Sequence, residues 1–421
     1  VRILLLTHYF APETGAPQRR WGAFVREFSE AGHEIAVMCP PPHHPEGRVP
    51  KQYRASLRPG SSQRERQRVR VFRVGYLPHR GDIVTRTMDH LVSSCSSIRR
   101  ARKVARQGIF RPDVVIATAP AVPTLLAGQR LARYFAVPFI AEMRDAWPDL
   151  VTHVGGATGG SLKSSIKELI HKGVSRLQRS ADAVVTTTES FADVLRHRGV
   201  ATVEVIRNGA YPNVFAQLPA ITDDHADLRV LYMGTVGRSQ GLDVVVRAVH
   251  RLREEGFSIS ARIIGSGHER NELIELNERL GNPVDIRGPV SAAEVVDHYA
   301  WADSTIVSLK DWEPFAWTVP SKLYELLATG RHVTAVLAGE GADIVRETGG
   351  GDVVHPGDAE GLVRLWSALI EDRSRLLVGN SGKEWVRQHV LFRGLAGTYL
   401  EMLESVVENN PAGRRDVNSS P

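Results

Sequence analysis

Only two cysteines, Cys39 and Cys95, occur in 421 residues, on different segments and without metal-ligand spacing. That scarcity excludes a disulfide framework and predicts a reducing, cytoplasmic setting. No run of 18 apolar residues occurs, and the apolar opening from Val1 to Leu6 is too short for a signal peptide, so no membrane span is expected. A Walker loop, a serine-nucleophile elbow and any Asp-x-Asp are also missing. The three-glycine dinucleotide fingerprint fails twice. The loop after the first strand carries Gly15 alone, and Gly265-Ser266-Gly267 meets Arg270 at the third-glycine position, which disfavours a nicotinamide dehydrogenase. Histidines 43 and 44 sit in a Pro-rich loop without partners at metal-ligand spacing. No metal and no other cofactor is expected.

What is present is an ordinary globular composition, 42% hydrophobic and 24% charged. The length exceeds that at which one hydrophobic core stops growing, so two domains are expected. Charge divides unevenly between them. Val1 to Gly209 holds 32 Lys and Arg against 17 Asp and Glu, a net of +15, whereas the remaining residues hold 21 against 30, a net of −9. The first half therefore carries the attraction for an anionic partner. Its densest basic segments are Arg64 to Arg73 and Arg99 to Arg106. The second follows Met88, Leu91, Val92 and Ile98, a pattern suited to an anionic inner membrane surface. Few aromatics interleave with these charges, so nucleic acid is not the expected partner.

Short apolar runs alternate with helical periods, the signature of βαβ units and parallel sheets. Strands are predicted at Arg2 to Thr7, Glu34 to Cys39, Val69 to Tyr76, Asp113 to Thr118, Pro138 to Met143, Ala183 to Thr188 and Val203 to Arg207. After Asn208-Gly209 and a polar, Pro-bearing stretch, the alternation restarts at Arg229 to Met233 and continues to Asp352 to His355. The predicted fold class is α/β, with two doubly wound parallel-sheet domains, 1–209 and 210–385. A helix over 386–408 is expected to return to the N-terminal domain, and the polar tail 409–421 is expected to be disordered. In such sheets ligands bind beyond the carboxyl ends of the strands.

Several strand ends carry chemistry. Pro320-Ser321-Lys322-Leu323-Tyr324-Glu325 sets a Lys and a Glu one turn apart just inside a helix start, where free N–H groups attract phosphate. Glu325 there suits the paired hydroxyls of a ribose. Met233-Gly234-Thr235-Val236-Gly237-Arg238-Ser239-Gln240 places glycines and an arginine able to fork across a diphosphate between strand and helix. Glu142-Met143-Arg144-Asp145 ends another strand, and Asp145 could orient or deprotonate a hydroxyl. Taken alone, Asp145 could instead pair with Arg144 or cap the next turn, and Arg238 could be a plain turn arginine.

With these residues assembled, the chain resembles the retaining nucleotide-sugar glycosyltransferases of family 4 (group 1). Their GT-B fold has two Rossmann-like domains facing a central cleft. Within that family it looks most like bacterial enzymes of capsule, exopolysaccharide and O-antigen assembly. The resemblance rests on the FAPETGAPQRRW opening, the MRDAWPD strand end, the VIRNG junction, the MGTVGRSQGL loop and the PSKLYELLATG helix, in that order. It implies an acceptor-side first domain and a donor-binding second one. By this resemblance Gly15 faces the donor phosphates, Arg238 and Lys322 contact the diphosphate, and Glu325 holds the ribose. Arg287 and Pro289 border the base, and Gly265 and Gly267 belong to the loop after the second strand of that domain. Phe315, Ala316, Trp317, Thr318 and Ser321 complete the donor side, and Glu13, Arg144 and Asp145 the acceptor side. Two positions depart from the family: Gln240 stands where a Lys is usual, and Trp317 where the first acid of Glu-x7-Glu is usual, with Glu313 nearby but out of register.

The implied activity is metal-independent, retaining transfer from a UDP-sugar to a hydroxyl acceptor, a lipid-linked glycan at the inner membrane face. A UDP-sugar epimerase of similar fold and a non-catalytic subunit of a polysaccharide assembly complex are the rival readings.

Overall fold

The computed structural model describes residues 1–410 apart from 45, 147, 151–160, 212–217, 220 and 222–224. The polar tail beyond Asn410 lies outside the described residues. In chain order the first elements are β1 (Arg2–Leu6), α1 (Ala16–Glu30), β2 (Glu34–Cys39), β3 (Ser62–Arg66), β4 (Val69–Arg73) and α2 (Ile83–Arg106). Next come β5 (Val114–Thr118), α3 (Val122–Phe135), β6 (Phe139–Met143), α4 (Ser161–Arg179), β7 (Ala183–Thr186), α5 (Glu189–His197) and β8 (Val203–Val205). The restart runs β9 (Leu228–Met233), α6 (Asp243–Glu254), β10 (Ile259–Ile264), α7 (Arg270–Arg279), β11 (Val284–Arg287), α8 (Ala292–Trp301) and β12 (Ser304–Ser308). Then follow α9 (Glu313–Ala316), α10 (Ser321–Thr329), β13 (His332–Val336), α11 (Glu340–Thr348), β14 (Gly351–Val354), α12 (Ala359–Glu371), α13 (Ser381–His389) and α14 (Phe392–Glu408).

The chain divides into two compact units, Val1–Asn208 with the chain from Phe392 onward, and Gly209–Leu391. In unit 1 the sheet order is β3-β4-β2-β1-β5-β6-β7-β8, and in unit 2 it is β11-β10-β9-β12-β13-β14. Every pairing is parallel except that of β3 with β4. Parallel strands covered on both faces need continuous apolar sequence. β5 (VVIAT) and β13 (HVTAV) are buried at every position.

The core of unit 1 joins α1 to α14. Trp21, Phe24 and Phe28 of α1 meet Phe392 and Tyr399 edge-on at ring separations of 5.5–6.0 Å, all essentially buried. Each such side chain is worth about 1.5–3 kcal/mol of burial. In unit 2, α6 and α12 close one face of the sheet through Val245, Val249, Leu362 and Trp366. No helix among the described residues is long and apolar enough to cross a membrane.

The end of the chain corrects one expectation. Sequence periodicity predicts a single helix over 386–408, but α13 stops at His389 and α14 begins at Phe392. Between them the backbone turns extended to pair Leu391 with Ala210, whose N–H donates to Val390 O at 2.9 Å. Pairing there costs the helix its continuity, and α13 stays with unit 2.

Candidate functional site

In unit 2 the register of β9, β10 and β11 aligns Met233 with Ile264 and Ile264 with Arg287, so the three strands end level. Their following loops are stitched by backbone hydrogen bonds. Gly234 N–H donates to Ile264 O at 2.9 Å, Gly265 N–H to Arg287 O at 3.1 Å, and Val236 N–H to Ser266 O at 2.9 Å. This close approach is why glycines stand there. A Cβ on Gly265, at φ 152°, would lie 1.8 Å from Gly234 O, and one on Gly267, at φ 155°, 2.1 Å from Val236 O. Gly265→Ala is therefore expected to cost about 2 kcal/mol or more through strain and overpacking. An unchanged denaturant midpoint would show that the loops do not depend on this contact.

β12 lies beside β9, so the segment leading to Lys322 leaves the sheet next to the Arg238 turn. Lys310 N–H donates to Ser239 O at 2.8 Å and Ser308 Oγ to Gln240 O at 2.6 Å, tying the two loops. Arg238 at the tip is exposed and has no ion-pair partner among the described residues. Gln240 is differently employed: its Oε1 accepts the Gly237 N–H at 3.1 Å and staples the turn. Lys310, absent from the sequence-based candidates, reaches Glu269 at 3.0 Å.

α10 starts at Ser321 with Pro320 as N-cap and no side-chain cap; Leu323 N–H donates to Pro320 O at 2.9 Å, which leaves the N–H groups of Ser321 and Lys322 for another acceptor. On it Lys322 Nζ lies 2.8 Å from Glu325 Oε2, both side chains about a quarter exposed. Tyr299 donates to Glu325 Oε1 at 3.4 Å. The cation and the acid assigned to phosphate and ribose thus neutralise each other. Phe315 is buried, stacked on Trp312 at 5.1 Å, and its carbonyl accepts from both the N–H and the hydroxyl of Thr318. Ala316 packs its carbonyl against Gly339 so closely that a Cβ there would lie 2.0 Å away. Trp317 is half-buried, and Glu313 and Pro289 are exposed. Arg287 spends its charge on Asp285 at 2.6 Å. A cavity of about 350 Å³ beside Gly237 is lined by Asp243, Glu269 and Glu272 with Lys310 as the one cation, so it is unsuited to a diphosphate.

Unit 1 places its candidates around the carboxyl ends of β1, β2 and β6. Gly15 is the N-cap of α1 with φ 165°, an extended conformation open to any residue, and the helix has no side-chain cap. Glu13 is a strut: its Oε1 accepts the N–H groups of His43 and His44 at 2.6 and 2.8 Å, and its Oε2 accepts from Gln18 at 3.1 Å. Arg144 is buried, which pushes its pKa down against the opposing pull of Asp145 and Glu142. Asp145 is half-buried, with no side-chain hydrogen bond among the described residues. Asp149 instead takes a two-pronged contact from Arg198 at 2.7 and 2.9 Å.

Two family models match the chain: a glycosyl transferase 4-like domain over residues 15–209 and glycosyl transferases group 1 over 227–372. The chain belongs to the GT-B glycosyltransferases. Among its relatives is an Escherichia coli K12 protein named provisionally as the colanic acid biosynthesis glycosyl transferase WcaI, 25% identical over 67% of this chain and 70% of its own. A glycogen synthase of Mycobacterium tuberculosis is 23% identical over 88% and 86%. Sucrose-phosphate synthase from Thermosynechococcus elongatus shares the fold with a TM-score of 0.72, at 16% identity over 97% of this chain and 99% of its own. Anabaena HepE in complex with UDP-glucose does so with a TM-score of 0.63, at 14% identity over 96% and 99%.

Two features of this glycosyltransferase escaped the sequence. Arg20 is buried in unit 1, with Nε 2.8 Å from Glu142 Oε1 and its terminal nitrogens donating to the carbonyls of Arg207 and Ile206 at 2.6 and 2.9 Å. His43, which has no partner at metal-ligand sequence spacing, meets His8 and Asp89. Both histidine Nε2 atoms lie on Asp89 Oδ2, at 3.0 and 2.9 Å. Burial opposes ionisation of Asp89, but hydrogen bonds from His43 and His8 outweigh it and hold the carboxyl below its usual range. Neighbouring His90 is pushed down to about 3 by burial and the His8 charge. The only sequence signal was the density of histidines in segments that lie far apart in the chain.

Proposed function

We propose that this transferase moves a sugar from a nucleoside diphosphate, UDP, to a hydroxyl acceptor with retention at the anomeric carbon and without a metal at the diphosphate. The observation that carries this reading is the exposed Arg238, without an ion-pair partner among the described residues, on a turn tied to the segment that leads on to the α10 start bearing Lys322 and Glu325. Leaving-group departure is the hard step, because negative charge builds on the diphosphate. Arg238, Lys322 and the α10 N–H groups supply fixed positive charge there, the role a divalent ion plays elsewhere. HepE, crystallised with UDP and with UDP-glucose, supports a UDP-sugar as donor.

Donor binding exchanges partners within one pair: Lys322 turns to phosphate and Glu325 to the ribose hydroxyls. In unit 1, Asp145 orients the acceptor hydroxyl, and the departing phosphate oxygen takes its proton on the same face. Loss of transfer on chelation, with recovery on adding manganese, would contradict the metal-free step. An inverted anomeric configuration in the product, read by NMR, would contradict retention.

The acceptor is a lipid-linked glycan presented at an anionic membrane face. α2 supports this: Val84, Met88, Leu91 and Val92 are 72%, 48%, 41% and 39% exposed along one helix whose later turns are basic. Not every cation there is free, since Arg102 stacks over Tyr134 at 4.4 Å and Arg100 over Phe72 at 5.5 Å. In sedimentation with vesicles, the protein should pellet with anionic but not zwitterionic lipid at low salt, and a Val84→Ser/Met88→Ser variant should pellet severalfold less. Equal partitioning onto both vesicle types would argue against membrane presentation.

A further inference from the structure

The His8, His43 and Asp89 cluster is unused by the transfer chemistry above, and we propose that it is a zinc site bracing unit 1. His8 follows β1, His43 lies in the loop after β2, and Asp89 is on α2, so one ion would tie three segments. Each of the three is buried, at 4%, 1% and 0% exposure. One donor atom from each lies within 4.8 Å of the others.

The orientation of His43 is what points to a cation. Pro41 O lies 2.7 Å from its Nδ1, and a carbonyl only accepts, so Nδ1 carries the proton. Nε2 then faces a carboxylate oxygen 3.0 Å away, a short contact that either a second ring proton or a metal ion must bridge. This tautomer, with Nδ1–H on a backbone carbonyl and Nε2 toward the metal, is the usual one for a zinc-ligating histidine. Asp89 is oriented in the same manner, its Oδ1 accepting from the Leu77 N–H at 2.8 Å and from Ser93 Oγ at 3.4 Å. His8 Nε2 lies 2.9 Å from the same Asp89 oxygen, and its buried Nδ1 has no hydrogen-bond partner.

The donor set selects the metal. Two imidazoles and one carboxylate suit zinc rather than calcium or magnesium, which want oxygen ligands. Ligands about 2.0–2.2 Å from a tetrahedral zinc lie roughly 3.3–3.6 Å apart, so the two histidine–carboxylate separations of 2.9 and 3.0 Å would open by a few tenths of an ångström around the ion. Three protein ligands leave a fourth position for water. Its ligands are not among the residues assigned to the donor diphosphate, so the role proposed for the ion is structural.

The test uses the full chain without an affinity tag, stripped with chelator and given Zn2+ alone. Elemental analysis after desalting should find one zinc per chain, and the melting temperature should rise by roughly 5 °C at a hundredfold excess over Kd. Co2+ in place of zinc should give visible d–d bands of tetrahedral intensity. Asp89→Asn and His8→Gln should each lower zinc affinity at least tenfold, while His44→Ala should not. If the wild-type chain takes up no zinc at micromolar free metal and its melting temperature does not move, the cluster is a proton-linked His43–Asp89–His8 network and the proposal fails. It fails equally if both variants still bind one zinc with unchanged affinity.

Discussion

Arg20→Met is expected to destabilise unit 1 by about 3–5 kcal/mol, because it strands a buried carboxylate whose one strong partner is removed. Glu142 is 0% exposed, and its second oxygen already lacks a hydrogen-bond partner. The substitution also frees the carbonyls of Ile206 and Arg207, which Arg20 draws toward α1 from 186 and 187 residues away. Adding Glu142→Leu should recover a large share of the loss, since replacing a buried pair by apolar groups is far milder than breaking it. Urea denaturation of the single and double variants measures both. Equal midpoints for wild type and Arg20→Met would mean that this buried contact does not support unit 1.

Arg238→Ala is expected to lower kcat about 100- to 1,000-fold, the scale for loss of one preorganised charge partner in a transition state. The acceptor KM should change little. Arg238→Lys should restore part of the rate, as a point charge without the planar fork. Lys322→Ala is a harsher change than its size suggests. It removes a cation and also releases Glu325, now unpaired, beside incoming phosphate. Combining it with Glu325→Gln separates the two effects: the double variant should turn over faster than Lys322→Ala while binding UDP more weakly than wild type. Wild-type rates in both Arg238→Ala and Lys322→Ala would rule out this cationic clamp.

The fold was legible because parallel strands advertise themselves locally. Runs such as Ile3 to Leu6 and Val114 to Ala117 are apolar at consecutive positions, and the restart after Asn208-Gly209 repeats the pattern. What stayed hidden depends on sheet order. Arg20 and Glu142 are 122 residues apart, and His43 and Asp89 are 46 apart, so no local spacing links them. β3 was also missed. As an exposed antiparallel edge strand of SQRER it lacks the apolar signal, and its charges look like a solvated basic run. The loops of the candidate donor site could be found from glycines, but not the employment of each side chain. Gln240 as a staple, Arg287 as the partner of Asp285 and Glu13 as a strut emerge only when neighbouring segments are in place.

Because unit 2 is a single stretch from Gly209 to Leu391 whereas unit 1 draws its last helix from Phe392 onward, synthesis order and completion order differ. The ribosome finishes the whole second sheet while Trp21, Phe24 and Phe28 still await Phe392 and Tyr399. The portion translated first is therefore the last to close, and a nascent chain halted before residue 392 would present an uncovered aromatic strip to chaperones.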